Sequence, residues 1–483
     1  MSVMSSVLLS CRKTLAVGLA LLFASTFSNA QLAPGNTTVK SATEFELERM
    51  TDIGEVYDRF LQFQQSKELQ KQVWALQKLL TLRPYSTVFR WELARVYGQL
   101  NEKSAAYDTL ITLQKQGMAF DPTKDSAFKP VSDTPAFKYI AEGLAVNAKP
   151  FGEGKVALTV QNDAELIESI AFDSKRNRFM FGSAKTGEIL IVDNLGVSKR
   201  FVVPDVVNQM SGVYALAIDA KGDYLYAAST MTNTFEKFKP ELLGSGGIYQ
   251  FDLADTKLLK IFPYPADGKL RIISSMTVAN NGDLYAADVA SRSVMQIRGN
   301  KFTQMFTSDS LTGVRGLALS DDNKRLYFSD YEMGLFYADL ELNQIRAMEI
   351  AGHNLGGIDG VYLWDKKYLI ALQNSTLPSR VVRIELNGAG TGISSLQPLE
   401  AAKPDMLSPT YGALKNDGFY YIANSQRDLY DASGTIMSGE KPERRRIYRI
   451  DPKFGLADAE RQAQAKRNAE AAKKRNAAAG GNK

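Results

Sequence analysis

The sequence predicts a mostly β protein: a six-bladed β-propeller over residues 155–451, preceded by an α-helical domain over residues 46–150. Three observations predict it. Apolar residues recur at helical spacing from about Glu46 to Gln116. From Val156 the apolar period changes to two. One unit then recurs six times: an apolar strand, a turn of Asp, Asn, Gly and Lys, a Tyr/Phe/Leu-rich strand, a polar turn, and a third alternating strand. All-β units repeating every roughly 40–60 residues are the pattern of propeller blades, each of which has an apolar face that only a neighbour covers.

Residues 1–30 read as a secretory signal peptide. Arg12 and Lys13 form a basic start, Leu15 to Phe27 carries no charge, and Ser28-Asn29-Ala30 offers small residues for cleavage. The chain is therefore expected to be exported, periplasmic or secreted, with no transmembrane segment once this stretch is removed. The only cysteine, Cys11, lies within it. The remainder has no disulfide available and depends on core burial. Residues 31–45 are polar, contain Pro and Gly, and read as a flexible leader.

Val73, Leu76, Leu79 and Leu80 form one helical stripe that Arg83-Pro84 ends. Trp91, Leu93, Ala94, Val96 and Tyr97 mark the next helix, and Ala105, Ala106, Leu110 and Leu113 a third, closed by Gly117. This arrangement resembles tetratricopeptide repeats, whose small residues let paired helices approach closely. Only one to two repeats are visible, fewer than such an array needs to stand alone, so the unit is expected to pack on the propeller or on a protein partner.

The six units begin with strands near 170–173, 215–219, 276–278, 316–319, 360–363 and 412–414. A strand at 155–160 precedes the first and is expected to complete the last blade beside Arg446–Ile450, tying the ring shut. The tail, residues 456–483, is basic and of low complexity.

The formal charge is +5. Arg12 and Lys13 supply two of these charges, and the tail, with seven basic and three acidic residues, supplies four more, which leaves the main body near −1. No basic face is implied, and a nucleic-acid partner is not expected. There is no phosphate-binding glycine loop before a helix, no Cys/His metal spacing and no nucleophile elbow.

Propellers place function where loops enter the innermost strands. The residues just before those strands are Glu168, Tyr214, Ser274 (or Ser275), Arg315, Asp359, and Thr410 or Tyr411. If the alignment holds, two carboxylates, one guanidinium and several hydroxyls converge on the axis.

The segments Glu168-Ser169-Ile170-Ala171-Phe172-Asp173, Val314-Arg315-Gly316-Leu317-Ala318-Leu319-Ser320 and Gly357-Ile358-Asp359-Gly360 resemble the gluconolactonase and senescence-marker-protein (regucalcin) family, and more loosely strictosidine-synthase-like propellers. The resemblance implies a divalent cation (Ca²⁺, Mg²⁺, Mn²⁺ or Zn²⁺) held by a first-blade Glu, Asn side chains of the third and fourth blades, and a fifth-blade Asp that also acts as general base in lactone hydrolysis. Glu168 and Asp359 match the two carboxylates. The Asn positions read Ser274 or Ser275 and Arg315. A guanidinium cannot ligate a cation. At 4 Å and an effective dielectric of 20 it gains about 4 kcal/mol from a carboxylate. Arg315 is thus expected to bridge Glu168 and Asp359 in the metal's place, with no cofactor.

His353, the only histidine, leads toward Asp359 and is a candidate general base. Asn374 and Asn424 end strands in successive blades and are candidates for orienting a polar ligand. The function expected from these residues is binding of a small polar ligand or a protein partner at the channel mouth. The alternative is hydrolysis of lactones or esters, with Asp359 as base beside Glu168.

Overall fold

The computed structural model describes residues 40–160, 165–308 and 310–457. The expected signal peptide and nearly all of the tail lie outside the described residues. Among the described residues no helix is long and apolar enough to cross a membrane.

Six helices come first: α1 Ala42–Arg49, α2 Ile53–Gln65, α3 Leu69–Leu82, α4 Thr87–Gln99, α5 Lys103–Lys115 and α6 Pro135–Asn147. Side chains set several of the starts. Ser41, Asp52, Ser86 and Thr134 each accept a hydrogen bond from the backbone N–H three residues on. The Ser41 cap starts α1 inside the stretch expected to be leader. Val73, Leu76 and Leu79 of α3 are fully or almost fully buried against α1, α2 and α4, and α4, α5 and α6 share a second cluster around Leu110, Leu113 and Phe128.

The rest is six four-stranded antiparallel sheets. A lone strand, β1 (Lys155–Thr159), comes first. Blade 1 is β2 Ile167–Asp173, β3 Arg178–Ser183, β4 Ile189–Val192 and β5 Ser198–Val202. Blade 2 is β6 Gly212–Ile218, β7 Tyr224–Thr230, β8 Gly246–Asp252 and β9 Leu258–Pro263. Blade 3 is β10 Ile273–Val278, β11 Leu284–Asp288, β12 Ser293–Arg298 and β13 Lys301–Thr307. Blade 4 is β14 Val314–Leu319, β15 Arg325–Asp330, β16 Gly334–Asp339 and β17 Gln344–Met348. Blade 5 is β18 Ile358–Trp364, β19 Tyr368–Gln373, β20 Arg380–Leu386 and β21 Ile393–Ala401. Blade 6 is β22 Thr410–Lys415, β23 Gly418–Ile422 and β24 Arg446–Ile450, completed by β1, which pairs Val156 with Tyr448 and Leu158 with Ile447. That is the seam expected from the sequence, and it closes the ring without a covalent link.

Six apolar clusters fill the six junctions between neighbouring blades. At the closing junction Phe179, Phe181 and Leu190 of blade 1 meet Tyr411, Tyr420 and Ile447 of blade 6. A fully buried side chain of this kind contributes about 2–3 kcal/mol of hydrophobic stabilisation.

The helical unit docks on the propeller face where the inner strands begin. Tyr85 lies against Gly334 and Gly356, where an added Cβ would fall 2.6 Å from the tyrosine. Asn354 donates to the Tyr85 carbonyl at 2.8 Å, and Arg83 pairs with Glu332. Buried Arg380 donates to the Gln116 carbonyl at 2.7 Å. The Ala119 N–H donates to the Leu377 carbonyl at 2.7 Å.

Candidate functional site: the channel mouth

Every inner strand breaks register with its neighbour near its start. The slips fall between Ile167 and Ser169, Val213 and Ala215, Ile273 and Ser275, Val314 and Leu317, Ile358 and Gly360, and Thr410 and Gly412. The residues left unpaired include Glu168, Tyr214, Ser274, Arg315, Asp359 and Tyr411. A bulge re-aims its side chain and terminates pairing, so one backbone device repeated six times sets these six side chains at one end of the channel. Below them the inner strands enclose a cavity of ≈ 410 Å³ whose walls include Ala171, Ile218, Val278, Leu319, Leu363 and Leu414.

Two ion pairs organise the mouth. Asp359 is 1% exposed. Its Oδ2 accepts from Asn374 Nδ2 at 3.0 Å and from Thr410 Oγ1 at 3.1 Å, and Arg315 Nη1 stands 3.7 Å from Oδ1. Asn374 is itself held by Tyr331, whose hydroxyl donates to its Oδ1 at 2.7 Å. The Tyr331 ring centroid lies 5.1 Å from the Arg315 guanidinium carbon. Glu168 is paired with Arg427, which donates through Nε at 3.1 Å and through Nη2. Arg315 therefore joins Asp359 but does not bridge to Glu168 as expected. A second guanidinium, absent from the sequence expectation, takes that place.

Arg427 comes from the long connection between β23 and β24. Gln426 adopts a left-handed φ of 55°, and its amide group clasps both backbone polar groups of Glu443. Arg427 then opens a short helical turn. Nothing in the sequence marks it, because its partner is 259 residues away.

Electrostatics follow the pairing. Glu168 raises the Arg427 pKa well above its ordinary value against the opposing effect of burial. Burial pulls Arg315 down, but Asp359, Tyr411 and Tyr331 together more than offset it. Burial pushes the Tyr331 phenol up to about 12, with Asp359 adding to it, and burial likewise raises Tyr411 and Tyr214. The phenols remain protonated donors at neutral pH.

Three expected residues take other roles. Ser274 donates to the Arg315 carbonyl at 3.0 Å and so spends its hydroxyl on the neighbouring strand. Both amide atoms of Asn424 hold the loop, at Arg444 and Arg446, because this buried amide must satisfy the backbone turning around it. His353 sits on the surface loop with Nδ1 3.0 Å from the Ala351 carbonyl, and no contact brings it to Asp359. Tyr214 shares a hydrogen bond with Thr232 beside Glu168.

The donor set does not fit a divalent cation. Such an ion takes six or more oxygens. Here both Glu168 oxygens accept from Arg427, Asp359 Oδ2 accepts two hydrogen bonds, and a second guanidinium stands over Oδ1. Among the described residues no group of three or more His, Cys, Asp or Glu is arranged to hold a metal.

Fold and site together define a six-bladed β-propeller with an N-terminal helical unit and a charge-paired channel mouth. No family model matches the chain, and no curated protein does. Among solved structures it is similar to a gluconolactonase of Xanthomonas campestris, at 14% identity over 64% of this chain and 92% of that one, with a TM-score of 0.42. It is also similar to a luciferin-regenerating enzyme, at 13% identity over 63% and 95% with a TM-score of 0.42. A virginiamycin B lyase of Staphylococcus aureus follows at 14% identity over 56% and 82%, with a TM-score of 0.41. No functional assignment rests on these likenesses.

Proposed function

We propose that this is an exported protein that binds a small polar ligand at the channel mouth and does not act as a metal-dependent lactonase. One observation carries the reading. Bulged residues of successive blades gather at the channel mouth, and the cluster there keeps hydrogen-bonding groups unspent: the Arg315 Nε and Asp359 Oδ1 are both buried without a hydrogen-bond partner. Unsatisfied polar atoms are costly in a folded protein and call for an explanation, and a polar ligand that completes both groups is one. The channel beneath, lined by polar and apolar side chains of the inner strands, gives the site a floor, and the helical unit docks on blades 4 and 5 at the same face.

A thermal-shift screen of small polar compounds tests this. A compound that raises the melting temperature of the wild type but not of Arg315→Met supports it. Hits indifferent to both Arg315 and Arg427 would place binding elsewhere.

The Asp359 oxygen left without a hydrogen bond supports a second reading, ester or lactone hydrolysis. Asp359 would accept a proton from water as that water adds to the carbonyl carbon, and the departing ring or ester oxygen would leave as a hydroxyl. Chelator-insensitive hydrolysis of a lactone or aryl ester, lost in Asp359→Asn, would select this reading over pure binding.

A further inference from the structure

The geometry points to a specific ligand chemistry: the mouth receives an oxyanion, a carboxylate or phosphate group of a small molecule, on Arg315 and Arg427. This rests on the mouth being the binding site.

Spent and unspent groups at the mouth do not balance. Arg427 uses Nε and Nη2 on Glu168, and among the described residues Nη1 makes no hydrogen bond. Among the described residues Arg315 donates no hydrogen bond from its side chain, although a guanidinium carries five N–H donors. The acceptors are nearly all engaged. Both Glu168 oxygens and Asp359 Oδ2 are occupied, and the one acceptor without a hydrogen bond, Asp359 Oδ1, is buried 3.7 Å from Arg315 Nη1. What remains open to a ligand is donor capacity.

Exposure is sorted by sign as well. The side chains of Arg427 and Arg315 are 41% and 24% exposed, against 9% and 1% for Glu168 and Asp359. Positive charge thus faces the opening while negative charge is sealed behind it, so the recess attracts anions although its formal charge sums to zero. Arg427 also opposes the charge of Arg315, and an anion between them relieves that repulsion. The planar fork of a guanidinium matches the paired oxygens of a carboxylate or phosphate. The protonated Tyr411 hydroxyl adds a neutral donor beside them.

Calorimetric titration at low ionic strength decides it, with sodium citrate, inorganic phosphate, glucose as an uncharged polar probe, and CaCl₂. At least one of the two anions is expected to bind one per chain, and Arg315→Met is expected to weaken it tenfold or more, about 1.4 kcal/mol. Because Arg427→Met alone strands a buried carboxylate, the paired variant Glu168→Gln/Arg427→Met provides the second test, with the same expected loss. Citrate alone binding specifies a carboxylate, and phosphate alone a phosphoryl group. Failure of both anions to bind at millimolar concentration overturns the inference, as does anion binding that these variants leave unchanged. Glucose binding that Arg315→Met abolishes, with no anion binding, overturns the anion while keeping the mouth as the binding site. Stoichiometric Ca²⁺ binding overturns both.

Discussion

Asp359 shows how much one side chain holds together at this mouth. Its carboxylate engages Asn374, Thr410 and Arg315 from a position 1% exposed. Asp359→Ala strands these partners, and a loss of about 3 kcal/mol in urea denaturation is expected. Asp359→Asn keeps the shape and should lose less. Asp359, Glu168 and Arg315 were legible in the sequence because the inner strands repeat, so aligning six strand starts is equivalent to locating six bulges. Arg427 was not legible. It belongs to a loop with no counterpart in the other units, and only the folded ring brings it to Glu168. The role of Asn424 was not legible either. A strand-end amide looks the same in sequence whether it faces a ligand or, as here, satisfies its own loop.

At the scale of elements, the inner strands approach so closely that Gly316 has no room for a side chain. A Cβ there would lie 2.5 Å from the Val361 backbone nitrogen. Gly316→Ala should therefore cost about 1–3 kcal/mol and shift the adjacent bulge that carries Arg315, read as a lower denaturation midpoint. The outermost strands β5, β9, β13, β17 and β21 were not anticipated, since each unit showed only three strands. Most of their residues are half-buried or exposed at the rim, with burial only at one end in Ser198–Val202 and Gln344–Met348, so no continuous apolar run marks them. The link between helical unit and mouth is likewise invisible in sequence. Arg380 is buried without a carboxylate partner, its pKa pushed down to about 10 by burial, and it donates to Gln116, Asn354 and Gln373. Gln373 adjoins Asn374, the residue that holds Asp359. Arg380→Met should loosen the docked helices, seen as faster proteolysis between residues 117 and 135, and should weaken ligand binding at a mouth it does not touch.

For the whole molecule, closure is the main structural commitment. Leu158 anchors β1 in the junction between blades 6 and 1. Leu158→Asp buries an unpaired charge at the seam and should remove about 4 kcal/mol, measured by urea denaturation. Glu400 makes stability depend on pH just before β1, at Gly154. It is fully buried, accepts from the Gly154 N–H at 2.7 Å, and has a pKa raised by burial above the ordinary 4.5. The folded state then holds this proton to higher pH than the unfolded state, so its contribution falls as pH rises from 4.5 through the raised value. Stability of Glu400→Gln relative to wild type should accordingly improve across that window. The six-blade count and the β1 seam were readable at this scale because both follow from repeated apolar periodicity.

The two guanidinium–carboxylate pairs at the mouth, Arg315 with Asp359 and Arg427 with Glu168, use the carboxylates that a divalent cation would need. Calorimetric titration of the purified protein with Ca²⁺, Mn²⁺ and Zn²⁺ tests it most directly. The account predicts no stoichiometric binding to the wild type. Tight one-to-one binding of any of these ions that disappears in Asp359→Ala would contradict it.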